Sequence, residues 1–296
     1  MATYKLAEKS LPVPNKRRPH LPGQLLTYAV FCILFAASVW ASNPPSLDEG
    51  FRLLYDLDFP RAQNEFVAWE HEHSNDPMGP TAEAAGFLFS ELHRLGILES
   101  QFYVKDSAFA ARPKLSPDPL VRQRFVSALQ RAQGLADRRL QENAKDREAL
   151  FAATLTSGLN ADYAALVEKR NLAALRFTRQ SNDWARQLLV VDPECYDAYL
   201  ASGISKYLVG SMSPPMRWLA RLGGVAGDKR GGIADLQITA EKGHYLAPFA
   251  RILLAIAYVR DNDKTHAREV LASLRQDFPE NPLFAREMAR LDGHNK

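Results

Sequence analysis

A segment rich in histidine and acid is the first place in this sequence where metal chemistry could occur. The stretch "WEHEHSND" holds His71 and His73 among Glu70, Glu72 and Asp76. Residues two apart on a helix point to different sides, whereas metal ligands on a helix favour offsets of three or four. Asp76 lies three residues after His73, which leaves a weak surface site possible. The spacing favours a solvated helix end, and we expect neither a metal nor a cofactor.

The cysteines and the remaining histidines offer little further chemistry. Cys195 follows Pro-Glu at an expected helix start, where a thiolate could be stabilised, but a partly buried and unreactive thiol is the favoured interpretation. The other cysteine, Cys32, lies in an N-terminal apolar run, so the body cannot form an internal disulfide. His93, His244 and His266 are scattered, and no Ser or Cys has a nucleophile context. The sequence therefore predicts a protein that is not an enzyme.

The glycine-rich stretch "SPPMRWLARLGGVAGDKRGG" could meet either an anion or a partner. Its last part leads into a helix whose N-terminus could receive an anion, but the Walker pattern of a nucleotide site is absent. Its first part can form a short amphipathic helix, with Ser213 as N-cap and Pro214 at the first position. That helix either packs its apolar face on the body or contacts a partner or a membrane surface. The possible interaction residues are Arg217, Trp218, Arg221, Lys229 and Arg230.

The bulk composition limits the classes of protein to which this chain can belong. The chain has 296 residues, of which 46% are hydrophobic and 24% are charged, as in an ordinary globular protein. Its formal net charge is +3, but five Lys and Arg side chains and one acid lie in residues 1–41. The rest of the chain is therefore close to neutral and lacks the basic excess of a nucleic-acid-binding face. We expect no nucleic-acid partner.

The N-terminal region has the pattern of a targeting segment. A basic region, residues 1–24, precedes the uncharged apolar run Leu25–Ala41, where Val39 and Ala41 have the small-residue spacing of a signal-peptidase site. The run just reaches the length that spans a bilayer, so an uncleaved anchor is the alternative to a cleaved signal. Positive charge before the run keeps the N-terminus cytoplasmic in both cases. The body is thus expected in the periplasm, or anchored to the inner membrane on its outer side.

Residues 42–296 carry the periodicity of helices joined by short turns. Segments such as "EALFAATLTSGL" and "FARILLAIAYV" place apolar residues three and four apart, and no alternation typical of strands persists. Breaks such as "NDPMGP", "SPDP" and "DFPENP" end one helix and start another. The sequence predicts an all-α fold of repeated helical hairpins.

Small and aromatic residues recur at fixed offsets along this region. Gly50 lies twelve residues before Ala62, Phe66 follows four later, and similar spacings occur twice more nearer the C-terminus. Small residues at such positions let two helices cross closely, while large ones fill the space between neighbouring units. The spacing resembles the tetratricopeptide repeat, which implies a solenoid of stacked hairpins. The repeat-packing residues are Gly50, Ala62, Phe66, Tyr199, Gly203, Ala255, Tyr258, Ala267 and Pro279.

One hairpin of this array is expected to carry an insertion. If Gly203 and Ala234 are the paired small residues of one unit, they are thirty-one positions apart instead of twelve. The sequence therefore predicts an insertion at about residues 212–232. The proline-rich break followed by "GDKRGG" and a helical repeat is similar to the C-terminal part of a eukaryotic tetratricopeptide-repeat family linked to organelle outer membranes and inclusion-body clearance. That resemblance implies an interaction role.

These patterns lead to one functional hypothesis and one alternative. An exported repeat protein without catalytic groups is typical of bacterial envelope scaffolds that bind protein partners, and the membrane is contacted through the N-terminal segment. The alternative is a periplasmic solenoid that binds a small ligand or lipid for a transport system. A peptide groove should expose several polar and charged residues, whereas a lipid or solute site should be a closed apolar cavity.

Overall fold

The structure is a computed structural model that describes residues 44–99, 116–212, 214–222, 224 and 226–293. The described residues from Pro45 onward form one compact unit. The described residues are helices joined by turns, with no strand among them, so the prediction of an all-α fold is confirmed. No described helix is both long and apolar enough to cross a bilayer. The predicted targeting segment, residues 1–41, lies outside the described residues.

The helices follow one another in chain order, and their bounds locate the turns expected from the sequence. A π-helical turn, Tyr163–Val167, follows α5, and a 3-10 turn, Tyr196–Ala198, precedes α7. The α-helices are α1 Leu47–Tyr55, α2 Phe59–Glu72, α3 Met78–Arg94, α4 Pro119–Glu142, α5 Arg147–Asp162, α6 Asn171–Val191, α7 Tyr199–Ser211, α8 Pro214–Leu222, α9 Lys229–Lys242, α10 Ala247–Arg260, α11 Lys264–Asp277 and α12 Pro282–Gly293.

Capping side chains explain where many of these helices begin. A Ser or Asp side chain accepts a hydrogen bond from a backbone N–H of the first turn, which satisfies a donor that the helix itself cannot pair. The caps are Ser46, Asp58, Asp118, Asp146, Asp228 and Asp263. The short breaks read from the sequence therefore work as helix starts.

Among the described residues, the helices pack in pairs, which gives five hairpins and a terminal helix. The pairs are α1 with α2, α3 with α4, α5 with α6, α7 with α9, and α10 with α11, and α12 packs on α11. Neighbouring pairs also contact each other, since α2 packs on α3, α4 on α5 and α9 on α10. The body is thus a helical-hairpin array, in agreement with the expected architecture.

The insertion begins after α7 and contains the short helix α8, Pro214–Leu222. The pairing inferred for its flanks was wrong in one respect, because Ala234 is exposed and does not face Gly203. The residues at Gly203 are Gly232 and Leu236, and a Cβ atom at Gly203 would lie 3.0 Å from Leu236 Cγ. The chain returns close to α7, where a Cβ atom at Gly227 would lie 2.6 Å from the Gly210 nitrogen. These glycines allow two backbones to cross at contact distance.

The first hairpin contacts the last, so the array closes on itself. The Tyr55 hydroxyl donates to the Tyr245 carbonyl oxygen at 2.9 Å, and Asn281 Nδ2 donates to the Tyr55 carbonyl oxygen at 2.7 Å. The rings of Phe51 and Tyr245 lie 4.8 Å apart between centroids. An open solenoid would leave these two ends separated. Closure instead surrounds the space between the first helices of the hairpins.

Candidate functional site

A cavity lies at the centre of the closed array. Its volume is about 100 Å³, and it is lined by the first helix of every hairpin together with α6. Most of its wall is apolar and comes from widely separated parts of the chain. These apolar residues are Phe51, Leu54, Ala85, Phe89, Leu155, Leu159, Ala161, Leu200, Ala201, Ile204, Leu246 and Phe249. We call this space the central cavity.

One side of the central cavity is polar. Thr154, Gly158 and Asp162 are four residues apart on α5 and so share one face, and Thr178 and Ser181 of α6 also line the wall. Thr154 Oγ1 donates to the Leu150 carbonyl oxygen at 2.8 Å, and Ser181 Oγ donates to the Thr154 carbonyl oxygen at 2.9 Å. These hydroxyl protons are therefore used within the helix pair, while their oxygen lone pairs remain available as acceptors.

Asp162 is the carboxylate of this polar wall. It is partly buried, and among the described residues no group donates a hydrogen bond or forms an ion pair with it. Burial raises its pKa from 3.8 to about 7. Asp162 is thus an unpaired acid facing an apolar space.

Asp197 also lines the central cavity but has a structural role. Its carboxylate accepts backbone N–H groups from His244, Tyr245 and Leu246 at 2.9, 3.1 and 3.1 Å. Burial raises its pKa, and these hydrogen bonds act against that rise. The side chain thereby satisfies donors at the start of α10, where no local side chain caps the helix. The Asp197 carboxylate therefore uses most of its hydrogen-bonding capacity on backbone groups of the protein.

A π-helical turn immediately follows Asp162. Tyr163 begins this turn and stacks on Phe125, with 4.8 Å between ring centroids. The turn ends near Lys169, which has a positive φ of 55° and reverses the chain into α6. Such π turns occur often at functional sites because they displace one residue from the regular helical register. Here the irregular turn follows directly on the acid of the cavity.

For seven of the nine repeat-packing residues predicted from the sequence, the structure shows a buried position or a contact between helices. Gly50 lies against the ring of Phe66 across α1 and α2, and both Ala62 and Ala267 are fully buried. Tyr258 accepts a hydrogen bond from Gln237 of the preceding hairpin. The partly buried Tyr199 begins α7, Gly203 faces α9, and Ala255 is buried in α10, whereas Pro279 is exposed in the loop after α11. That loop docks on the first hairpin through Asn281.

The possible interaction residues of the insertion lie at the surface but do not act as one group. Trp218 is 61% exposed. Arg217 donates to the carbonyl oxygens of Gly210 and Met212, both at 3.0 Å, so it closes the end of α7. Lys229 forms an ion pair with Asp261, while Arg221 and Arg230 are exposed. The insertion is held to the body through Ala220, which is buried beside Val209.

The side chains of the segment "WEHEHSND", where the sequence left a weak metal site possible, make other contacts in the structure. Asp76 accepts the Trp69 indole N–H at 2.9 Å and a backbone N–H from Met78, and His73 stacks on Trp69. Glu70 pairs with Arg131. His71 and Glu72 line the outer groove described below. Within the described ranges, no three His, Cys, Asp or Glu side chains come close enough to hold a metal.

Cys195 is buried, and burial raises the pKa of its thiol to about 11. The thiol therefore stays protonated near neutral pH, which excludes the stabilised thiolate that its position after Pro-Glu had left open. The favoured interpretation of an unreactive thiol agrees with this burial.

A second concave region, the outer groove, lies between α2, α3 and α4. Gln63, Val67 and His71 line it from α2, Glu83 and Phe87 from α3, and Arg124 from α4. Val67 is 50% exposed. The mixture of polar, charged and apolar side chains differs from the apolar wall of the central cavity.

No protein-family model matches the chain, and no curated protein matches it. The resemblance to tetratricopeptide repeats therefore stays a prediction. Sequence reasoning also missed Asp162, although "TLTSGLNAD" places Thr154, Gly158 and Asp162 at four-residue intervals along one helix. That polar stripe was the signal that could have indicated a site.

Proposed function

We propose that this protein is a non-enzymatic binder of a small, largely apolar molecule, which it holds in the central cavity. The observation that carries the proposal is the largely apolar cavity between the first helices of the hairpins, which lies where the first hairpin contacts the last. Sites for small molecules are concave, mostly apolar and equipped with a few polar groups, as this one is. On this proposal the N-terminal segment exports or anchors the body outside the inner membrane, where it captures its ligand for a transport system.

The size of the cavity argues against a peptide at this position. A helix with its side chains is roughly 10–12 Å in diameter, which a space of about 100 Å³ does not admit. An engineered cavity of about 150 Å³ holds benzene, so the central cavity suits a group somewhat smaller than a benzene ring. The ligand is thus a small molecule, or one short arm of a larger molecule.

Ligand-observed saturation-transfer NMR with the full-length protein in lipid nanodiscs tests this proposal. We expect saturable binding of 1-butanol, above the signal from empty nanodiscs. Ala201→Leu should sharply weaken binding, because Ala201 lines the cavity and the larger side chain would fill it. Ala234→Leu is the matched control, since Ala234 is exposed on α9. Equal binding by both variants, or no binding by the wild type, would refute the proposal.

The second candidate function is the protein-interaction scaffold expected from the repeats. It is favoured by the exposed Trp218 on the insertion and by the mixed polar and apolar lining of the outer groove. A pull-down from envelope extracts would compare the wild type with Trp218→Ala and with Val67→Asp. A specific partner lost from one variant and kept by the other would support a scaffold and locate its surface.

A further inference from the structure

We infer that the central cavity selects a short primary amine, bound as its ammonium form, with the nitrogen at Asp162 and the carbon chain along the apolar wall. This inference rests on the proposed function and adds the chemical class of the ligand. It depends on three features of the cavity as the described residues line it: an acid without a partner among them, the absence of a cation, and hydroxyl oxygens on the same polar side of the wall.

The first feature is that the acid has no partner in the part of the chain that the structure describes. Among the described residues, neither a hydrogen-bond donor nor an ion pair reaches the Asp162 carboxylate. An ionised carboxylate in apolar surroundings is costly unless it is paired and hydrogen-bonded. The other acid of the wall, Asp197, has three backbone N–H partners. Asp162 is therefore the carboxylate whose missing partner a ligand can supply.

The second feature is the composition of the wall around that acid. Among the described residues, Asp162, Asp197 and Tyr55 are the titratable ones that line the cavity, and no Lys, Arg or His lines it. The Tyr55 hydroxyl already donates to the Tyr245 carbonyl oxygen. A ligand carboxylate would find no counter-ion here and would lie near two acids. The wall thus disfavours anions and favours a cation that brings its own hydrogen-bond donors.

The third feature is the set of hydroxyl acceptors that line the same polar side of the cavity as Asp162. An ammonium group has three N–H donors, and the carboxylate satisfies one or two of them. Thr178 and Ser181 line the same polar side, and Ser181 Oγ retains acceptor capacity after donating to Thr154. Gly158 leaves room next to this hydroxyl, since a Cβ atom there would lie 3.6 Å from Ser181 Oγ. A primary ammonium matches this arrangement better than a quaternary one, which has no N–H donor.

The raised pKa of Asp162, about 7, is consistent with such a role. An acid that is half neutral near pH 7 when the cavity is empty becomes fully ionised when an ammonium binds. The affinity for an amine is then expected to increase from pH 6 to pH 8, where butylamine is still protonated. A neutral alcohol of the same length should show no such dependence.

The test compares butylammonium, 1-butanol and butyrate on the full-length protein in nanodiscs at pH 8. We expect butylammonium to bind at least about tenfold more tightly than 1-butanol, since hydrogen bonds to charged groups are stronger than neutral ones. Butyrate should bind more weakly than either compound. Asp162→Asn should lower the affinity for butylammonium to the affinity for 1-butanol, and it should leave the affinity for 1-butanol unchanged. Asp137→Asn, which changes an exposed acid of α4, is the matched control and should alter neither affinity.

The outcomes separate this inference from the proposed function. If 1-butanol binds in the cavity but butylammonium is not preferred, or butyrate is preferred, the inference is overturned and the proposed function stands. If none of the three compounds binds, the proposed function fails. Should Asp162→Asn not fold, the pH dependence of the wild type decides, because a butylammonium affinity that stays flat between pH 6 and pH 8 contradicts a role for Asp162.

Discussion

Replacing Asp162 by Asn is expected to stabilise the empty protein at pH 8 and to have less effect at lower pH. Burial raises the pKa of this acid from its ordinary 3.8 to about 7. The folded state therefore holds the proton more tightly than the unfolded state does. The resulting stabilisation is complete below about pH 4 and is lost as the pH rises through about 7. Asn keeps the shape of the side chain but carries no charge. The stability of the variant therefore does not fall in this way as the pH rises.

The magnitude follows from the distance between the two pKa values. The two pKa values differ by about three units, and each unit corresponds to roughly 1.36 kcal/mol. The effect on the free energy of unfolding therefore has a ceiling of about 4 kcal/mol. Asp162 is partly exposed, and water that enters the cavity stabilises its ionised form. We therefore expect the variant to gain about 1–2 kcal/mol relative to the wild type between pH 5 and pH 8.

Urea denaturation at pH 5, 6.5 and 8, without ligand, measures this difference. Asp137→Asn serves as control, because this exposed acid of α4 should give a flat difference across the same range. A pH-independent difference for Asp162→Asn would show that the acid is solvated in the folded state. A loss of stability at every pH would show that the carboxylate makes a hydrogen bond within the fold. Either result refutes the reasoning.

Three further substitutions test the fold around the cavity by thermal or urea denaturation. Asn281→Ala removes the donor to the Tyr55 carbonyl oxygen and should cost about 1–3 kcal/mol; an unchanged stability would mean that closure does not depend on this contact. Ala267→Trp puts a large side chain at a fully buried helix contact, so a loss of about 1–3 kcal/mol is expected, and an unaltered melting temperature would contradict the packing. Trp218→Ala should change stability by less than about 0.5 kcal/mol, because the indole is 61% exposed, and a large loss would identify Trp218 as a core residue.

The sequence predicted the hairpins because their signals are local. Helix starts depend on a side chain two or three residues before the N–H that it caps, as with Asp146 and Ala149. Close helix crossings depend on small residues such as Gly50, which packs on Phe66 within one hairpin. The error at Ala234 arose at the insertion, where the fixed spacing no longer applies and only the structure identifies Gly232 as the close residue.

The cavity was not predictable from local signals, for two reasons. The helix α5 is buried on nearly all sides, so its hydrophobic periodicity does not show which side faces the centre. Closure depends on hydrogen bonds from Tyr55 to Tyr245 and from Asn281 to Tyr55, between residues 190 and 226 positions apart in sequence. A repeat pattern specifies how neighbouring hairpins stack, but it does not specify after how many hairpins the ends will meet.

Closure of the array also explains why one acid can define the chemistry of the site. In an open solenoid the first helices of the hairpins line a wet groove, where the Asp162 carboxylate would be solvated and would have an ordinary pKa. In the closed array the same helices exclude most of this water, and burial raises the pKa of Asp162. Asp197 does not acquire this role, because its carboxylate is occupied by the backbone before α10. The contacts that join the first hairpin to the last therefore create both the cavity and the electrostatic demand for a cation that we assign to it.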